Sequence, residues 1–311
     1  MRAVRSTPPG VTVVDVDVPG VPEDGELVAI RSAGICASDL KYIGFGCTNV
    51  LGHELAGTTR DGTPVAIEAL FGCDGCTYCD AGQYNLCVHG PTPLGALTDG
   101  GMSEYFAAPA RSLVALPTGL DVADACLIEP ASVAWHACRL GGVGPDRRVA
   151  VVGGGAIGLL IVAAAQRMGA GEVSLQARHP HQRQVGERLG VTDARDVYDV
   201  VIEAAGSGSA LGRCTELARP GATMVVLGVY GPDVVWPQYE CFMKELRVVP
   251  SLGYCRQGDR RDFEDAADML AQRPELAESL ITHRFPIEDA AEAFRVASDR
   301  SSGALRVVLE P

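Results

Sequence analysis

The chain has 311 residues, 47% hydrophobic and 21% charged, enough for about two soluble domains. Its net charge of −13 disfavours phosphate backbones and anionic lipid, so neither nucleic acid nor a membrane is an expected partner. Met1-Arg2 leads into a polar, Pro-containing stretch that does not read as an export signal, and a cytoplasmic protein is expected.

Up to about residue 130 the pattern is one of short alternating segments separated by turn residues. Strands are expected at 11–18 (VTVVDVDV), 26–34 (ELVAIRSAG), 63–70 (TPVAIEAL) and 102–110 (MSEYFAAPA). These describe a β-rich, barrel-like first domain. From about 133 strands and helices alternate. Strands are expected at 148–153, 172–177, 199–206, 222–228 and 245–251, with helices at 156–169, 181–189 and 209–218. That is the βαβ pattern of a doubly wound parallel sheet. Helices near 262–272 and 287–298 and a strand at 304–310 follow. The domain boundaries are placed at 1–132, 133–272 and 273–311.

The most apolar run, Val149–Gln166, approaches a membrane span in length, but three consecutive glycines cut it. They belong to Gly153-Gly154-Gly155-Ala156-Ile157-Gly158, which satisfies G-x-G-x-x-G between an apolar strand and an apolar helix. Gly153 permits the tight turn, Gly155 lets backbone approach a pyrophosphate, and Gly158 lets the helix pack against the strand. The helix N-terminus, opening at Ala156 and Ile157, then faces the phosphates. A glycine-rich turn without a ligand is the competing reading, and the strand–turn–helix context argues against it. An NAD site usually carries an acid about 20 residues further on. Here Ala177, Arg178 and His179 occupy that place. A guanidinium can grip a 2′-phosphate that an acid would repel, so NADP is preferred. NAD bound without the usual acid, with Arg178 a solvated charge, is the alternative.

Eleven cysteines, an odd number in a large chain without an export signal, argue against disulfides. Four of them form Cys73-x-x-Cys76-x-x-Cys79-x7-Cys87. Four thiolates fill a tetrahedral zinc and leave no open position, which points to structure and not to chemistry. A nucleic-acid zinc ribbon is disfavoured because 73–87 contains Asp74 and Asp80 but no Lys or Arg. Most other cysteines read as small hydrophobes. Further ligand candidates are Cys36 in GICASDL (34–40), His53 and Glu54 in LGHELAG (51–57), and Glu129 in LIEPASVAWHACRLG (127–141). Taken singly, each has an ordinary structural explanation: a buried thiol, a core histidine, a helix-terminal charge.

The order of GICASDL, GHELAG, the four-cysteine lobe, IEPASVAWHA and VAVVGGGAIG resembles the zinc-dependent medium-chain dehydrogenases along essentially the whole chain, and most of all their sorbitol (polyol) dehydrogenase branch. The resemblance implies an α/β protein: a GroES-like β-barrel catalytic domain, completed by the C-terminal return at 273–311, plus a Rossmann domain. It implies two zincs per chain, one structural and one catalytic. Cys36, His53 and Glu129 would be the catalytic ligands, with Glu54 behind them or exchanging in. Asp39 would orient His53, and Ser38 would pass the substrate proton outward. Arg306 would lie near the cofactor pyrophosphate, and Val229 and Tyr230, after Gly228, would flank the nicotinamide. The family usually has a histidine two residues after the motif aspartate; here it is Lys41, so the relay is expected through Lys41 or water. The segments 39–53 and 190–200 are also short for the family. A helix expected between the third and fourth Rossmann strands is lost.

The implied reaction moves hydride between a nicotinamide cofactor and a secondary alcohol or polyol, or the corresponding ketone, in a homodimer or homotetramer. Two rivals are weighed. One is an aminocyclitol, amino-alcohol or threonine-type dehydrogenase with the same mechanism. The other is a non-catalytic NADPH-binding regulator, which the intact Cys36, Ser38, His53 and Glu129 set disfavours.

Overall fold

A computed structural model of the protein describes residues 1–299 and 301–311. The chain divides into two compact units, Met1–Glu129 with Cys255–Pro311, and Pro130–Tyr254. The expected return at 273 therefore comes earlier by contact. The helix Asp262–Gln272 lies with the first unit, where its first residue caps the chain that enters it: Asp262 Oδ2 accepts the Cys255 N–H at 2.9 Å.

The first unit is built on a seven-stranded sheet. Its path runs Ile281–Pro286, Arg306–Glu310, Gly25–Gly34, Glu54–Thr58, Pro64–Ile67, Leu113–Ala115, and Tyr105–Pro109 pairs with Gly25–Gly34 off that path. All these pairings are antiparallel except the first, between Ile281–Pro286 and Arg306–Glu310. The ten-residue strand Gly25–Gly34 is central, and its alternating residues Val28 and Ile30 enter a core with Leu51, Leu55, Ile67, Met102 and Leu309. Chain order explains why the C-terminus is needed. Without Arg306–Glu310 the end of the central strand, where Leu309 pairs with Ala33, would be left unpaired on one side.

Several expected strands differ in extent. The strand expected at 11–18 stops at Asp15, before a run with Pro19 and Pro22, and pairs with an N-terminal strand Arg2–Thr7 that its polar composition hid. The strand expected at 63–70 breaks into Pro64–Ile67 and Leu70–Phe71.

The second unit is a six-stranded parallel sheet in the order Thr192–Asp193, Glu172–Gln176, Arg148–Val152, Tyr198–Glu203, Ala218–Val226, Arg247–Pro250. This is the Rossmann order, in which strand succession reverses between Arg148–Val152 and Tyr198–Glu203. The helix Ala156–Arg167 is buried along nearly its whole length, which explains an apolar run as long as a membrane span. No helix among the described residues is long and apolar enough to cross a membrane. Thr192–Asp193 connects to Tyr198–Glu203 without a helix, as the short 190–200 segment implies.

Candidate functional site

The short helix Ala37–Gly44 begins where the central strand ends. Cys36 is its N-cap, and Asp39 at the third position reaches back, its Oδ2 accepting the Cys36 N–H at 2.9 Å. Asp39 is fully buried, and its other oxygen faces His53 Nδ1 at 3.3 Å. Asp39 therefore fixes both the Cys36 backbone and the His53 ring. With Nδ1 turned to a carboxylate, Nε2 is left for other work. Burial disfavours a charged His53, but Asp39 and Cys36 together outweigh it and hold the ring well above its usual range.

Sulfur of Cys36, a ring nitrogen of His53 and a carboxylate oxygen of Glu54 converge within 4.8 Å of one another. Glu54 is fully buried. Its Oε1 accepts from Arg306 Nη1 at 2.8 Å, while its Oε2 has no hydrogen-bond partner. A thiol, an imidazole and a carboxylate brought together around an unsatisfied buried oxygen suit a zinc ion. Glu129 opens the helix Ile128–Gly141. Desolvation pushes its carboxyl up to about 7, His53 pulls it down, and Glu54 pushes it further up. It shares the electrostatic environment of the cluster without belonging to the tight trio.

Ser38 Oγ lies 3.1 Å from His53 Nε2. Lys41, the expected relay residue, is exposed on the outer face of the same helix. The next residue, Tyr42, is the one the sequence reading missed. Its ring centroid is 6.2 Å from that of His53, and its hydroxyl interacts with Ser38. The available signal was spacing, since Tyr42 follows Ser38 by one helical turn. Arg306, expected beside a pyrophosphate, is buried against Glu54 and also donates to the Ile35 carbonyl at 3.1 Å. Its Nε has no hydrogen-bond partner.

The four thiols of Cys73, Cys76, Cys79 and Cys87 converge within 4.8 Å, and Cys76 and Cys79 sulfurs are 3.5 Å apart. Backbone N–H groups of Cys79 and Val88 point at Cys76 and bring its thiol down to about 6. Amides aimed at sulfur favour thiolate, the form that binds metal. Cys126, Cys138 and Cys214 are buried small hydrophobes.

In the second unit, Gly153–Gly155 link the strand Arg148–Val152 to the helix Ala156–Arg167. A Cβ on Gly158 would collide with the Gly153 carbonyl, so only glycine lets this helix start so close to the strand. Ala177 is buried and Arg178 exposed at the end of the next strand. Arg183 donates to the carbonyls of Ala177 (3.1 Å) and Arg178 (2.8 Å) and holds that turn. His179 caps the helix Pro180–Arg188, and its ring stacks on that of His181. Val229 is 79% exposed, whereas Tyr230 folds back to donate its hydroxyl to Glu203.

An antiparallel-sheet unit holding two ligand clusters, joined in one chain to a Rossmann unit with a glycine-rich turn, is the architecture of the zinc-type dehydrogenases. The chain matches the alcohol dehydrogenase GroES-like domain over residues 22–118 and the zinc-binding dehydrogenase domain over 156–272. L-galactonate-5-dehydrogenase of Escherichia coli (strain K12) is 30% identical over 307 residues, covering 88% of each chain. Sorbitol dehydrogenase of Bombyx mori is 27% identical, covering 96% of this chain and 95% of that protein. A zinc-binding dehydrogenase from Sinorhizobium meliloti 1021, solved bound to NADP, superposes with a TM-score of 0.88 at 29% identity, covering 100% and 99% of the two chains. The chain belongs to the zinc-binding dehydrogenase family, in its polyol-dehydrogenase branch, and is an oxidoreductase.

Proposed function

We propose that the protein transfers hydride between NADP(H) and a secondary alcohol or polyol, or the matching ketone. The convergence of Cys36, His53 and Glu54 around an oxygen without a partner carries this reading. Cys36, His53 and Glu129 would hold a catalytic zinc, with Glu54 behind them or exchanging in as a ligand. Cys73, Cys76, Cys79 and Cys87 would hold a second, structural zinc. Bound zinc supplies Lewis acidity that lowers the pKa of an alcohol. Asp39 keeps the proton on His53 Nδ1 and so presents Nε2. Ser38 Oγ, beside that atom, receives the alcohol proton. Tyr42 or the exposed Lys41 then passes it to water. Glycines 153, 155 and 158, with the amides of Ala156 and Ile157, would take the pyrophosphate, while Arg306 would hold Glu54 at the metal cluster. Arg178 and His179 would recognise a 2′-phosphate above the small Ala177. Gly228, Val229 and Tyr230 would flank the nicotinamide. NAD is the second cofactor to be tested.

Exposed Trp236, Tyr239 and Phe242 line one groove of the second unit. Such an apolar surface supports a homodimer or homotetramer. The clustered thiols of Cys73, Cys76, Cys79 and Cys87, which must be reduced to hold a metal, suit a reducing, cytoplasmic setting.

The test is elemental analysis of wild type and Glu129→Ala, with NADPH and NADH titrated in parallel. The reading expects two zincs falling to one, with NADPH bound more tightly. One zinc in both proteins would leave only the cysteine lobe metallated and favour the non-catalytic regulator. A polyol, amino-alcohol and aminocyclitol panel then separates the enzymatic readings.

A further inference from the structure

Glu203 ends the strand Tyr198–Glu203 and pairs in register with Val152, the last residue before the glycine turn. These two strand ends flank the point where the sheet order reverses. In open parallel sheets, ligands enter the crevice beyond the carboxyl ends at that point. A fully buried carboxylate there is unusual, because the site is to receive phosphates and a cofactor. Every oxygen of Glu203 is engaged. Oε1 accepts the N–H groups of Ala205 at 2.8 Å and Gly206 at 2.7 Å. Oε2 accepts the Tyr230 hydroxyl. The Glu203 backbone carbonyl accepts from Leu227 at 3.1 Å.

Burial, reinforced by Glu203, pushes the Tyr230 phenol far above its usual range, so it stays a donor. Gly228 makes the bond sterically feasible. A Cβ there would sit 2.6 Å from the Tyr230 hydroxyl oxygen and 2.7 Å from Glu203 Oε2. The glycine turn joins the same knot, since a Cβ on Gly153 would lie 2.7 Å from the Ala204 carbonyl carbon. One carboxylate thus ties the 204–206 turn to the 228–230 turn, the loops that follow two adjacent strands on the same side of the crevice.

We infer that Glu203 is a positioning residue for the nicotinamide end of the cofactor, acting through Tyr230 and the amides of Ala205 and Gly206. The inference rests on the reading of this unit as a dinucleotide site and deepens it. Tyr230 is held by its hydroxyl, leaving Val229 to project outward at the lip. Charge at Glu203 is absorbed by three donors, so the crevice offers the pyrophosphate no free anion.

The experiment compares full-length wild type, Tyr230→Phe, Glu203→Gln and Glu203→Ala by NADPH and NADH fluorescence titration, steady-state kinetics and thermal unfolding. Tyr230→Phe removes one hydroxyl and little volume. It is expected to raise the NADPH Kd and the cofactor KM about tenfold, leaving alcohol KM and zinc content unchanged. Glu203→Ala is expected to exceed that loss. Glu203→Gln should recover most of it, because an amide oxygen can accept both backbone N–H groups while its NH2 donates to Tyr230. If Tyr230→Phe and Glu203→Ala bind cofactor within about twofold of wild type and lose only thermal stability, Glu203 is a fold staple and the inference fails. Should Glu203→Ala not fold, Tyr230→Phe decides alone. A wild type that binds neither cofactor would overturn the dinucleotide reading itself and the inference with it.

Discussion

Arg306 and Glu54 stand 252 residues apart in the chain and meet at 2.8 Å, with both side chains buried. Neither charge has water to fall back on, so each depends on the other. Removing one partner of such a pair costs about 3–5 kcal/mol, most of it from the charge left behind. Arg306→Leu should lower stability by about that amount in urea unfolding. Adding Glu54→Leu to it should recover part of the loss, since no orphan charge then remains. A single variant as stable as wild type would show that solvent reaches this pair.

Zinc uptake by metal-free protein should depend steeply on pH. The Glu129 carboxyl, raised to about 7 chiefly by desolvation, is protonated below that value. His53 is raised as well, through Asp39. Ligands bind metal only after losing their protons. Affinity at the Cys36 cluster should therefore fall by at least about tenfold per pH unit below pH 7. Competition with a chromogenic chelator between pH 6 and 8 reads this directly. A slope shallower by up to about one proton in Glu129→Gln would assign that proton to Glu129, and an unchanged slope would exclude it.

Arg178→Ala should weaken NADPH binding by about ten- to a hundredfold and leave NADH within about threefold. The ratio of kcat/KM values for the two cofactors measures it. An equal loss for both cofactors would mean that Arg178 holds the turn and not a 2′-phosphate. Arg183, bonded to the Ala177 and Arg178 carbonyls, is the expected source of such turn effects and serves as the control.

Asp199 accepts the Arg148 backbone N–H at 2.9 Å and the Arg219 side chain at 2.7 Å. Those bonds, the first foremost, hold its carboxyl below the usual range. A depressed carboxyl contributes stability above its unfolded pKa and loses it as pH falls through the folded one. D199N should therefore cost about 1–2 kcal/mol at pH 7, and the gap to wild type should close in acid, below about pH 4. Thermal unfolding followed from pH 7 to 3 tests both the size and the sign.

Features carried by neighbouring residues were legible in the sequence. The glycine turn lies within six residues, 153–158, and the cysteine lobe within fifteen, 73–87. Their chemistry needs that spacing, so the spacing gives them away. Asp39 and Cys36 share one helical turn and belong to the same kind. Arg306–Glu54 and Glu203–Tyr230 do not. Those pairs are created by the order of strands in each sheet and the loops that leave them, and that order is a property of the sheet, not of either segment. The strand Ile281–Pro286 was missed because it is half-buried along one face and exposed along the other, in a stretch with Thr282, His283 and Arg284. Arg2–Thr7 escaped notice for the same reason. Tyr42 carries no motif of its own, and only the helical turn that sets it one step past Ser38 brings it to the site.

The cofactor unit is one uninterrupted stretch of chain, whereas the first unit is assembled from two. Residues 130–254 form one continuous unit, and such a segment can be exchanged between relatives by a crossover at each end. The junction is not neutral ground, however. Glu129, the carboxylate proposed for zinc, is the last residue before it. A crossover placed a few residues early would carry a stranger's residue into the metal cluster, while one placed just after it would change the cofactor and spare the ligands. Natural chimaeras of this lineage should therefore show their breakpoints on the Pro130 side.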